Sequence, residues 1–121
     1  MDNYITQQEG DQYDLLLPLL RATYLEIQEL SKKKPESPLN AYKVKAVNRI
    51  LEPIKELLKN EPTYNFLDTL DNEELPTNSD VVLILSQYQK SMELFRSKYY
   101  SHSDYKWRVQ KPEQSSTKKR R

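Results

Sequence analysis

Cysteine is missing from this chain, and glycine occurs once, at Gly10. The first absence excludes a disulfide framework, thiolate zinc, iron–sulfur clusters and a cysteine nucleophile, and it leaves the redox compartment unread. The second excludes a P-loop and a dinucleotide-binding fingerprint, which both need glycine where the backbone meets a phosphate. Long apolar runs are missing too. Only 36% of the 121 residues are hydrophobic, far from a membrane-spanning composition. The opening Met1-Asp2-Asn3-Tyr4 has no basic region followed by an apolar stretch, so no secretory signal is expected. This length suits one domain with one modest core. The expected setting is soluble and intracellular: cytoplasmic, or nuclear in a eukaryote.

What the chain does have is helical periodicity. Scarce glycine argues against hairpins, whose turns usually consume it. Tyr13, Leu16, Leu20, Thr23, Ile27 and Leu30 recur at spacings of 3 and 4, which predicts a helix over 14–33. In that helix Asp14 is the N-cap, Pro18 stands in the first turn and Lys32-Lys33-Lys34 closes the last. Ser37-Pro38 opens a second helix carrying Val44, Val47, Leu51, Ile54 and Leu58, with a kink or break expected at Pro53, near Glu52. A short amphipathic helix from Asn60-Glu61-Pro62 carries Tyr64, Phe66, Leu67 and Leu70 and ends in an acidic loop over 71–77. The last helix, capped by Thr77 or Asn78, carries Val81, Leu85, Tyr88, Met92, Phe95 and Tyr99 on one stripe. Its start, Val81-Val82-Leu83-Ile84-Leu85, is apolar on every face and should be surrounded by protein. The expected fold is all-α: a small antiparallel bundle of three long helices and one short, with a basic C-terminal tail. Residues 1–12 are expected to be a flexible N-terminus, 13–100 the bundle, and 101–121 a basic, aromatic-containing, partly disordered tail.

Net charge is +1, but it is split. Residues 101–121 hold seven basic and two acidic side chains, +5, which leaves 12 − 16 = −4 on residues 1–100. In the basic segment Tyr99, Tyr100, Tyr105 and Trp107 alternate with Lys98, Lys106 and Arg108, and Lys118, Lys119, Arg120 and Arg121 close the chain. Cations for phosphates and aromatic faces for unpaired bases are what single-stranded nucleic acid requires. The same segment also suits packing on the bundle, an acidic partner surface or an import address.

A second candidate is the span Arg96-Ser97-Lys98-Tyr99-Tyr100-Ser101-His102. Its Arg-to-His spacing resembles the signature of the HEPN superfamily of small all-helical domains. The resemblance implies metal-independent RNA cleavage at a dimer interface, with His102 in acid–base chemistry and Arg96 steadying phosphate charge. The family most often has asparagine after the arginine, where this chain has Ser97. A hydrolytic triad from Ser101, His102, Ser103 and Asp104 is excluded, because adjacent residues cannot reach that geometry. The acids Asp68, Asp71, Glu73, Glu74 and Asp80 lack the ligand spacing and glycine of a calcium loop, so no metal or cofactor is expected.

Apolar residues beside the stripes exceed what one seam needs: Leu15, Leu17, Leu19, Tyr24, Ile50, Leu57, Val82, Leu83 and Ile84. Either the short helix or another subunit must cover them. The leading expectation is therefore a non-catalytic interaction module, self-associating or an accessory subunit of a larger assembly, with its tail making electrostatic contacts. Nucleic-acid binding through the C-terminal segment is one alternative, and a HEPN-like ribonuclease using Arg96 and His102 is another.

Overall fold

The computed structural model describes residues 4–110. Among them the fold is helical: α1 (Gln7–Lys33), α2 (Ala41–Leu57) and α3 (Asn78–Tyr99), with a single 3-10 turn at Pro62–Phe66. A two-stranded antiparallel hairpin follows, β1 (Tyr100–Ser101) against β2 (Lys106–Trp107), with Tyr100 opposite Trp107 and Ser101 opposite Lys106. The all-α class holds, with this small sheet added. None of the described helices is long and apolar enough to cross a membrane.

The first helix begins well before the expected boundary at Asp14. Thr6 Oγ1 accepts from the Glu9 amide at 3.0 Å and Glu9 Oε1 accepts from the Thr6 amide at 2.8 Å, a reciprocal capping box. Asp14 is consequently an interior residue, and Pro18 also lies inside the helix rather than in its first turn. Pro18 leaves the Asp14 carbonyl without its helical donor. Within residues 1–12, contacts to the rest of the fold begin at Ile5. Ile5 is buried, its amide donates to the Arg108 carbonyl at 2.9 Å, and its carbonyl accepts from the Gln110 amide at 2.7 Å.

Asn40, not Ser37, caps α2; its Oδ1 accepts from the Lys43 amide at 2.8 Å. Pro38 instead pairs in extended conformation with Thr77. No break occurs at Glu52: the helix runs through Pro53 to Leu57. Leu51, Ile54 and Leu58 are fully buried, and their packing outweighs the hydrogen bond that proline removes.

The short helix expected over residues 60–70 reduces to the Pro62–Phe66 turn, after which the chain is extended. A buried side chain explains this path. Asn48 donates to the Leu70 carbonyl and accepts from the Leu70 amide, both at 2.8 Å, giving that residue the pairing a helix would otherwise supply. Tyr88, fully buried on α3, donates its hydroxyl to the Asp68 carbonyl at 2.9 Å. Leu67 and Leu70 enter the core on either side of that contact.

Thr77 caps α3, and the residues on the expected stripe from Val81 to Tyr99 are buried. The run at its start is not enclosed on every face, since Leu83 is 59% exposed. Segment 34–39 is laced to this end of α3. The amides of Asn78 and Ser79 donate to the carbonyls of Ser37 and Pro35, and Asn78 Nδ2 donates to that of Lys34. α1 packs against both other helices.

Candidate functional site

The last turn of α3 passes straight into the hairpin. The Tyr100 amide donates to the Arg96 carbonyl, the Arg108 amide to the Tyr99 carbonyl at 2.7 Å, and the Arg108 guanidinium to the Lys98 carbonyl at 2.9 Å. Helix-terminal carbonyls are thereby satisfied, and the returning strand is fastened beside them. Side chains alternate across a strand, so Lys106 is exposed while Trp107 is buried. The indole meets the rings of Tyr13, Tyr100 and Phe95 at centroid distances of 4.7, 5.2 and 5.9 Å. Its Nε1 lies 3.3 Å from both carboxylate oxygens of Asp14. Gly10 lies directly beneath: a Cβ there would stand 2.9 Å from Trp107 Cδ1.

The hairpin turn contains no glycine. Tyr105 takes the left-handed conformation at φ 56°, and its side chain is 82% exposed. That backbone costs a non-glycine residue roughly 1–2 kcal/mol. Scarce glycine therefore did not preclude a hairpin, because a strained tyrosine takes glycine's place.

Two grooves flank this end of the molecule, and Arg96 lines both. One, of about 560 Å³, runs between α1 and α3 and is lined by Tyr13, Leu17, Arg21, Glu93, Arg96 and His102 among others. The other, of about 830 Å³, lies against the hairpin and is lined by Tyr4, Tyr100, Tyr105, Lys106, Arg108 and Arg96, with Asp14 and Asp104. The Arg96 guanidinium sits 4.0 Å above the Tyr100 ring, and the His102 ring meets Tyr100 edge-on at 5.3 Å. Burial pushes the Tyr13 hydroxyl up against the pull of Arg96 and Arg21. Tyr13 is therefore a protonated donor, bonded to the Met92 carbonyl at 3.1 Å.

The acids of this region are engaged. Glu93 pairs with Lys90, Asp14 receives the Trp107 indole, and Asp104 receives the Ser101 hydroxyl. Among the described residues, Arg21, Arg96 and Lys106 pair with no carboxylate. The hairpin groove thus carries three cations against two carboxylates beside the exposed rings of Tyr4 and Tyr105, an arrangement able to hold an anion with a planar group.

Of the side chains the sequence nominates for nucleic-acid contact, Tyr105, Lys106 and Arg108 meet on the hairpin groove. Trp107 borders it, but its ring is buried and offers no open face to a base. Lys98 points away: its Nζ lies 3.6 Å from Glu61, whose carboxylate also accepts from the Tyr99 hydroxyl at 2.8 Å. Lys118, Lys119, Arg120 and Arg121 lie outside the described residues. Arg96 and His102 reach a common groove through Tyr100. Sequence reasoning missed Tyr4 and Arg21, which come from α1 and the segment before it. The acidic loop closes on itself, with Asp71 Oδ1 accepting from the Glu73 and Glu74 amides. Those bonds hold the Asp71 carboxyl below its ordinary range.

A second surface lies on the outer side of α1. Leu15 and Leu25 are 61% and 59% exposed, Leu19 is 47% exposed, and Pro18 and Ala22 are also exposed. Leu15, Pro18, Ala22 and Leu25 recur at 3, 4 and 3, the seam spacing of paired helices. Ala22 continues into a shallow apolar groove of about 270 Å³ toward α2, lined by Ile27, Ala46, Val47 and Ile50 among others. On α3 the exposed Leu83 and Leu94 are separated along their face by Gln87 and Lys90. Comparison with family models, with curated proteins and with solved structures finds no match to this chain.

Proposed function

We propose that this chain is a non-catalytic helical interaction module that self-associates through the outer face of α1. One observation carries the proposal: α1 bears a second apolar stripe, Leu15, Pro18, Leu19, Ala22 and Leu25, which no part of the described chain covers. Its first stripe already serves the core through Tyr13, Leu16, Leu20 and Ile27, so the second is surplus to folding. A second copy is the occupant of choice. Two-fold pairing about the middle of the stripe sets Leu15 of each chain against Leu25 of the other and the small Ala22 against the other's Pro18. In this reading α1 and α3 run antiparallel within each bundle, supported by Tyr13 beside Met92 and Arg21 sharing a groove with Ser86. The +5 on residues 101–121 adds electrostatic contact with an acidic surface.

Light scattering coupled to size exclusion tests this. The wild-type chain is expected at twice its 14.4 kDa mass and Leu19→Glu at 14.4 kDa, while Leu83→Glu, an exposed leucine off the stripe, leaves the mass unchanged. A wild-type monomer at every concentration examined rejects the reading.

A second reading rests on the convergence of Arg96 and His102 on Tyr100 and on one groove. As a metal-independent ribonuclease of the HEPN-like kind, the protein would cleave RNA in the presence of chelator, and His102→Ala would abolish cleavage. Equal cleavage by that variant excludes this role.

A further inference from the structure

We infer that the paired grooves around Tyr105 and Arg96 form a binding site for single-stranded nucleic acid. The site draws on α1 residues other than the self-association stripe, namely Gln7, Tyr13, Asp14, Leu17 and Arg21.

The argument starts from Tyr105. A strained backbone at φ 56° holds an aromatic side chain 82% exposed at the tip of a fastened hairpin. Glycine would relieve that strain and a small polar residue would suit the exposure, so folding does not call for a tyrosine at this position. Tyr4, 55% exposed, lines the same groove. A groove with two open rings in its lining accommodates unstacked bases, and Lys106 and Arg108 line it as well to meet the phosphates.

Arg96 determines the path. Its guanidinium carbon lies 4.0 Å from the Tyr100 ring centroid and the residue lines both grooves, so a strand leaving the hairpin groove crosses Arg96 and continues toward Arg21 between α1 and α3. Of the neighbouring acids, Glu93 is paired with Lys90, while Asp14 and Asp104 keep their charge and are outnumbered in the hairpin groove by Arg96, Lys106 and Arg108. Single strands fit where duplex does not, because stacking on tyrosine requires a base whose face is free. An acidic peptide would use the cations but leave both open tyrosine rings without a planar partner.

Fluorescence anisotropy of the full chain with a labelled oligothymidylate of about a dozen nucleotides tests the assignment. Affinity is expected to fall linearly with salt on logarithmic axes, at about 0.7 per phosphate neutralised. Tyr105→Gly is expected to lose roughly tenfold or more in affinity while its melting temperature stays the same or rises, which separates binding from folding. Arg96→Gln is expected to weaken binding and flatten the salt slope by about 0.7. Three results would each overturn the inference: no binding by the wild-type chain at low salt, wild-type affinity in Tyr105→Gly, or duplex of the same length binding as tightly as the single strand.

Discussion

A single amide, Asn48, decides where the connection between α2 and α3 runs. Its side chain occupies both backbone groups of Leu70, so Asn48→Ala strands a buried donor and a buried acceptor together. The expected cost is roughly 2–4 kcal/mol, read as a lowered urea midpoint with unchanged slope. No sequence signal announced this role. An asparagine within a helical run looks like an exposed polar position, and its partner is backbone, which carries no side-chain signature. Tyr105 is legible as an aromatic among cations, but its exposure and its positive φ are not. Turns of that kind are read from glycine or asparagine, and here tertiary fastening of the hairpin imposes the conformation instead.

Among elements, the three long helices were legible because each buries a stripe at spacings of 3 and 4. Val44, Val47, Leu51 and Ile54 on α2, and Val81 through Tyr99 on α3, lie where that spacing places them. The start of α1 was missed although its signal, Thr6 with Glu9 three residues on, stands in the sequence. Pro18 was read as a first-turn residue, and that assumption drew the boundary toward Asp14. The hairpin was missed for a different reason. Strands of two residues have no periodicity, and what holds them is Trp107 resting on α1, a contact remote in sequence. Gly10→Ala tests that docking. Helix propensity alone favours alanine by about 1 kcal/mol, yet the new methyl meets the indole at 2.9 Å. The substitution is expected to cost roughly 1–2 kcal/mol in the native chain. In a Trp107→Leu background it should become neutral or stabilising, and a double-mutant cycle of denaturation free energies measures the reversal.

At the scale of the molecule, buried tyrosines tie the parts together. Tyr13 joins α1 to α3, Tyr88 joins α3 to the 67–70 segment, and Tyr99 joins α3 to Glu61. Burial raises all three hydroxyls above their ordinary value of 10.0, strongly for Tyr88. The unfolded chain therefore releases these protons at lower pH than the folded one. Their contribution to stability is complete below about pH 10 and is lost progressively above it. Denaturation midpoints are expected to hold steady from neutrality to about pH 9 and to fall beyond pH 10, with a shallower fall in Tyr88→Phe. That variant gives up about 1 kcal/mol at neutral pH with the hydroxyl bond to Asp68. The meeting of Trp107 with Gly10 has a practical consequence as well. This indole is the only one in the chain, seated where the first helix, the last helix and the hairpin come together, so the protein's intrinsic emission is a one-site spectrum. Red-edge excitation follows that junction alone, and a hairpin that lifts from α1, or a ligand that settles beside it, announces itself optically without any label.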